Sequence, residues 1–349
     1  MTPEPARTMS TPEPAPARKK VPSWLVSAIL SLVAFALLGV AVWSNREDIA
    51  KVFRGRIDYR LFALALAINV LGLVLTFVRW YVLVRALGLP FRLRDAIRLG
   101  FIGNVFNLVV PGAVGGDVIK GAFLVKEQAR KTQAVASMVI DRVLGLLGLF
   151  VLGGISGAWA WSGATPPVRT LIGLVWLAVA AGLAALAVLF TPALYRPLER
   201  LFARRAKLAT MLAELATMAG AYRSKPGTVG AMLAMAVGIH SLYVLSFYCV
   251  SRAMFATVPS LGEHFLMVPL ILFSTAVPLP FGALGVSENA SKELFKLVSY
   301  QGGAVAMMGY RVVMYAAGLI SVVVYLANLR QVRTLRVAEP DPVPAAVVG

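Results

Sequence analysis

Six charged side chains stand inside stretches that are otherwise apolar: Arg79, Asp117, Asp141, Arg142, Glu288 and Arg311. At the centre of a membrane span each would cost about 2.5–3.5 kcal/mol on the insertion scale. Six uncompensated charges would rival a domain's whole stability of roughly 5–15 kcal/mol. They must pair or face water, and three acids with three arginines make mutual pairing feasible. The chemistry on offer is recognition of a charged group. An arginine's planar fork suits phosphate, while an acid takes a proton or a cationic group. Arg79, near the end of its stretch, is expected to snorkel to the interface. Asp141 and Arg142, deeper in theirs, cannot do so easily, and Arg311 is similar. Asn104 and Asn107, three apart, share a helix face, and either line a polar path or satisfy backbone groups nearby. Asp141, Gly145 and Gly148 share another face, where small residues allow helices to approach closely. His240 is expected as an interior polar residue, and Lys120 and Lys126 as interfacial lysines near lipid phosphates.

The elements that must position these groups are membrane helices. The chain of 349 residues is 59% hydrophobic and 14% charged, against about 25% charged in soluble domains. Full spans are predicted at about 24–43, 60–84, 132–160, 168–190, 226–253 and 303–328, each long enough to cross about 30 Å of hydrocarbon. Residues 1–22 and 330–349 read as disordered cytoplasmic tails flanking a membrane domain over 23–329, and 192–225 as a basic, amphipathic surface linker. Lysine and arginine counts set the orientation. The N-terminal tail has four and 192–225 has seven, which puts both inside, while 161–167 has none and goes outside. Loop 44–59, with Arg46, Lys51, Arg54 and Arg56, is outvoted. Both termini are then cytoplasmic. The net charge of +18 is scattered among loops, which argues for lipid headgroups rather than nucleic acid. One cysteine, Cys249, excludes an intrachain disulfide. Two histidines cannot build a metal cluster of the usual spacing, so no metal and no cofactor are expected.

Two further apolar stretches, 96–124 and 262–297, are interrupted by proline and glycine. The first has Arg92, Arg94 and Arg98 before it and Lys126, Arg130 and Lys131 after it, so both of its ends look cytoplasmic. Broken backbone is tolerated at membrane depth only when buried in protein or lining a wet cavity. Both stretches are therefore predicted as re-entrant helical hairpins. Their tips carry related wording. Pro111, Gly112, Gly115 and Gly116 precede Asp117, and Pro280, Gly282 and Gly285 precede Glu288. The glycines give the turn, the prolines stop the first arm, and the acids either cap the second arm or take part in a site.

The similarity extends beyond the tips. Gly112 and Gly282 are 170 apart, Asp141-Arg142-Val143 and Tyr310-Arg311-Val312 are 169 apart, and Val84-Arg85-Ala86 and Ser251-Arg252-Ala253 are 167 apart. Together with the predicted topology this reads as an inverted repeat, about 24–160 and 168–328. Such repeats are common in transporters and put the substrate site near the midplane.

Asn107, Pro111-Gly112, Gly115-Gly116-Asp117, Asp141-Arg142, Gly145, Pro280, Gly282, Gly285 and Glu288, in this order, resemble the membrane domain of lysylphosphatidylglycerol synthases, a family of flippase-like integral membrane proteins. The resemblance covers about residues 24 to 328. It implies lipid translocation across a bacterial cytoplasmic membrane. At Lys120 the family pattern more often has arginine. The full-length synthases add a soluble domain that transfers an amino acid from tRNA to a phospholipid; the sequence to Gly349 holds no match to it, so aminoacyl transfer is not expected here.

The expected fold is thus an all-α polytopic membrane protein of about six spans and two hairpins. The expected function is a lipid flippase or transporter for an anionic or zwitterionic phospholipid, and not an enzyme. The residues expected to converge on one midplane cavity are Asp117, Arg142, Glu288 and Arg311, with Asn104, Asn107 and Asp141 as further candidates. Two other classes stay open. One is a membrane-embedded enzyme acting on a lipid-linked phosphate or sugar, with Asp117 and Asp141 as acid and base, although no nucleophile motif, Walker loop or GxGxxG is present. The other is a non-transporting scaffold for a lipid-modifying partner.

Overall fold

Long apolar runs with few breakers fold as long helices, and the breakers mark where they stop. The computed structural model describes residues 32, 36–40, 42–55, 57–109, 116, 120–124, 131–195, 197, 206–275 and 283–328. Among them ten helices follow in order: α1 (Arg46–Arg54), α2 (Tyr59–Ala86), α3 (Leu93–Val109), α4 (Lys131–Ala160), α5 (Pro166–Phe190), α6 (Ala206–Gly220), α7 (Pro226–Met254), α8 (Leu261–Ser274), α9 (Val286–Lys296) and α10 (Gly303–Ala327). No strand occurs among the described residues. Five helices, α2, α4, α5, α7 and α10, are long and apolar enough to cross a membrane. The chain is an all-α, multi-pass membrane protein. The predicted span at 24–43 and the two tails fall wholly or largely outside the described residues, as do most of the two hairpin tips.

Local chemistry explains the helix starts. The Asp58 side chain caps α2 by accepting from the amides of Arg60 and Leu61. Pro166 and Pro226 open α5 and α7 at a first-turn position where no amide hydrogen is needed. Ser260 and Glu263 form a reciprocal capping box at the start of α8. Before α9 the backbone turns through Gly285, whose φ of +84° is costly for any residue with a Cβ.

Helix contacts are matched across two triplets of elements. The most extensive interface joins α2 to α7. Around it α3 packs on α10 and α8 packs on α4, while α2 meets α10 and α7 meets α4. Two apolar cores result. One gathers Trp80, Leu83 and Val84 of α2, Leu99 and Ile102 of α3, and Ile140 and Leu144 of α4. The other gathers Ala65 of α2, Val244 and Phe247 of α7, Met267 and Ile271 of α8, and Tyr310 and Val313 of α10. The linker helix α6 packs on α4 and α5. The turn after it buries Tyr222 completely, and that side chain donates to the Leu83 carbonyl at 2.9 Å.

Candidate functional site

Between the two cores, α2 carries Thr76 and Arg79, α4 carries Asp141 and Arg142, and α7 carries His240 and Tyr243. These residues line a cavity of about 260 Å³, together with Asn104 and Asn107 of α3, Lys120 on the returning arm, and Leu272 and Phe273 at the end of α8.

The deepest interaction is an ion pair. Arg79 Nε donates to Asp141 Oδ1 at 2.8 Å, and Nη2 donates to the Asp141 carbonyl at 3.3 Å. Arg79 is 4% exposed and Asp141 7%. Arg79 therefore does not snorkel. Its depth is affordable because the acid across the α2–α4 interface neutralises it. Gly145, one turn beyond Asp141, leaves room for this guanidinium, since a Cβ there would stand 3.1 Å from Arg79 Nη2. His240 Nε2 lies 2.9 Å from the Gly145 carbonyl. A carbonyl only accepts, so that nitrogen carries the proton. The buried Nδ1 is then a bare acceptor and meets no hydrogen-bond partner among the described residues.

The remaining polar groups are held by their neighbours. Thr76 donates to the Gly72 carbonyl at 3.0 Å, which leaves the Tyr243 hydroxyl, 3.4 Å away, to donate to Thr76. Asn104 Nδ2 donates to Ser321 Oγ of α10 at 3.0 Å. Asn107 Oδ1 accepts from the Gly116 amide at 2.9 Å. This last bond ties Gly116 back onto α3, and the two backbones touch there. A Cβ on Gly116 would stand 2.0 Å from the Gly103 carbonyl oxygen. Lys120 points its ammonium over the Trp80 ring, 5.3 Å from the centroid, so it lines the cavity and is not an interfacial lysine.

Arg142 is exposed. It stands eleven residues after Lys131, the first residue of α4, or about 16 Å along the helix at 1.5 Å per residue. The described lining residues with fixed charge are Arg79, Lys120 and Arg142 against Asp141, an excess of cations.

Glu288 and Arg311 lie elsewhere. Arg311 donates through Nε to Glu288 Oε1 and through Nη2 to the Ser287 hydroxyl. The second oxygen of Glu288 accepts from the Gly285 amide at 2.7 Å. Glu288 is wholly buried and Arg311 is 4% exposed. The acid at this tip thus caps its own helix and holds α10 at the same time. The pair borders a separate pocket of about 470 Å³ facing Leu38 and Val42. The expected meeting of Arg142 with Glu288 and Arg311 in one cavity is therefore not found, because Glu288 and Arg311 engage each other beside the Gly285 amide and line the other pocket. Asn104, Asn107, Asp141 and Arg142 do share one cavity. Asp117, Pro111, Gly112, Gly115, Pro280 and Gly282 lie outside the described residues.

Sequence reading alone overlooks Arg79, Lys120, His240, Tyr243 and Thr76 as site residues. One signal was available for the last two. Thr76 and Tyr243 are 167 positions apart, the same offset that relates Val84 to Ser251. Among the described residues no three His, Cys, Asp or Glu side chains gather to hold a metal ion.

A bundle of apolar helices with a charged cavity of about 260 Å³ between two apolar cores defines a multi-pass membrane protein with an internal polar site. More narrowly, the chain belongs to the lysylphosphatidylglycerol synthase TM region family, whose model matches residues 22–321. That family and the helical fold connect it to the metabolism or transport of membrane lipids. No curated protein and no solved structure matches the chain.

Proposed function

We propose that the protein is a lipid flippase that passes the headgroup of an anionic or zwitterionic phospholipid through the central cavity, in a bacterial cytoplasmic membrane, with both termini inside. The observation that carries this reading is the exposed Arg142 about 16 Å into a span, beside Asp141, Asn104 and Asn107 in a polar cavity among the helices. A phosphate suits that lining.

The inverted repeat supports the same reading. The hydroxyls of Thr76 and Tyr243, 167 positions apart, meet at 3.4 Å. Residues that meet their own counterparts sit on a two-fold axis. The α3–α10 and α8–α4 contacts are counterparts about that axis. Read this way, 96–124 and 262–297 are re-entrant hairpins entering from opposite sides, and the axis crosses the cavity, where inverted repeats of transporters place their substrate. Catalysis is the weaker reading, because the carboxylate of Asp141, the candidate base, is already engaged by Arg79 at 2.8 Å.

The test is translocation of headgroup-labelled phospholipids in proteoliposomes. Wild type should move them. Arg142→Ala, which removes a charge-assisted contact worth about 1.5–3 kcal/mol, should slow movement roughly 10- to 100-fold. No movement of any phospholipid by wild-type protein, with or without an imposed pH gradient, would sink the proposal.

A further inference from the structure

His240 sets a condition on whatever enters the central cavity. Its ring is held from two sides. Nε2 donates to the Gly145 carbonyl across the α4–α7 interface at 2.9 Å, and Tyr243, three residues on, meets the ring edge-on with centroids 6.0 Å apart. The proton on Nε2 leaves Nδ1 as a lone-pair acceptor. That acceptor is buried and has no partner among the described residues. The donors around it have their described bonds elsewhere. Arg79 Nε and Nη2 hold Asp141, the Tyr243 hydroxyl donates to Thr76, and Asn104 Nδ2 donates to Ser321. A buried acceptor that stays unmet is costly. Solvent in a cavity can meet it, but a ligand that takes the place of solvent must supply the donor itself.

We infer that His240 is a specificity-determining residue: it makes the cavity select a phosphate ester that also carries an N–H or O–H group, and reject one that ends in a quaternary ammonium. The inference rests on the headgroup reading of the cavity and narrows it. Two complementary demands meet there. Arg142 and Lys120 can only donate, which suits phosphate oxygens. Nδ1 of His240 can only accept, which suits a hydroxyl or a primary ammonium. All three residues line the same space of about 260 Å³, so a ligand is read at both of its polar ends. Ethanolamine and glycerol phosphates meet both demands. Choline phosphate has the phosphate and the positive charge of its ethanolamine counterpart but no N–H, so it meets only the first. A site built to bond a particular polar group discriminates strongly against the analogue that lacks it. The same chemistry is offered by a lipid headgroup and by a free phosphate ester.

The test is a methylation series, read in two arms on the full-length protein. In proteoliposomes, phospholipids with isotope-labelled ethanolamine, N-methyl, N,N-dimethyl and N,N,N-trimethyl headgroups are followed across the bilayer. In detergent, binding of the matching soluble phosphate esters is measured by calorimetry. Only the last member of each series lacks an N–H. A donor requirement therefore gives similar values for the first three and a drop of about 10- to 100-fold at the fourth, whereas a steric limit gives a gradual decline. Two variants separate recognition from packing. Asparagine places its amide near the position of Nδ1 and glutamine near that of Nε2, so His240→Asn should keep the step and His240→Gln, which can still bond the Gly145 carbonyl, should flatten it. A gradual decline or no preference in wild type would overturn the inference, as would a step that survives in His240→Gln. A step in the soluble arm from a protein that moves no lipid would uphold the donor requirement and refute only the carrier reading. A step in the lipid arm alone would assign the ligand to a lipid headgroup. Neither binding nor movement of any member would overturn both readings.

Discussion

At the scale of single residues, the charges at membrane depth divide into two working types. Arg79–Asp141 and Arg311–Glu288 are closed pairs, buried at both ends. Removing one member of such a pair leaves an uncompensated buried charge and costs about 3–5 kcal/mol, whereas replacing both by apolar groups of similar volume is often neutral. Arg79→Met is therefore expected to lower thermal stability in detergent by that amount, and Arg79→Met/Asp141→Leu to recover most of it. A stable Arg79→Met single variant would show that Asp141 does not depend on this partner. Arg142, being exposed, should behave differently, with Arg142→Ala unfolding within about 1 kcal/mol of wild type while slowing transport. Three acids and three arginines at depth are legible from composition and position alone. Which of them join is not, because Arg79 reaches Asp141 across 62 positions of chain and partner choice waits on helix packing. Lys120 is misread for a related reason, since only the folding back of its arm carries it over Trp80.

At the scale of elements, proline and glycine punctuation marks helices and breaks well. Every span predicted within the described residues is a helix, and both interrupted stretches begin as helices that stop near the expected tips. Interfaces are harder to read, because a glycine in an apolar run looks the same whether it faces lipid or another helix. Gly148 faces α7 so closely that a Cβ would stand 2.5 Å from that of Ala236. Gly148→Val must push α4 and α7 apart. Overpacking of this kind costs about 1–3 kcal/mol, and a lowered midpoint in a thermal unfolding scan is the expected result. Gly173, with open space around it, is the matched control, and Gly173→Val should change stability far less. A common response at the two sites would count against tight α4–α7 packing.

At the scale of the whole molecule, the polar cavity exists because two apolar cores hold the ends of α2, α4 and α7 together while their middles carry polar side chains. Helix content and membrane class follow from hydropathy. The cavity does not, since it needs five helices and the segment carrying Lys120 at once. The proposed orientation follows from lysine and arginine counts. In a Cys249→Ser background, Gly163→Cys should react with an impermeant thiol reagent added outside intact cells, and Ser224→Cys should react only after the membrane is opened. The reverse pattern would invert the proposed topology and with it the side from which each hairpin enters.

The contact between Thr76 and Tyr243 reaches further than its own hydrogen bond. If the halves exchange roles during transport, a residue on the symmetry axis has the same surroundings in both facing states. A substitution there raises or lowers both states together and leaves their balance untouched. The Asn104–Ser321 bridge lies off the axis and exists on one side only. Loss of Thr76 should thus alter how fast the protein turns over, and loss of Asn104 should alter which leaflet it faces at rest. Speed and bias would then be written at separate addresses in one cavity.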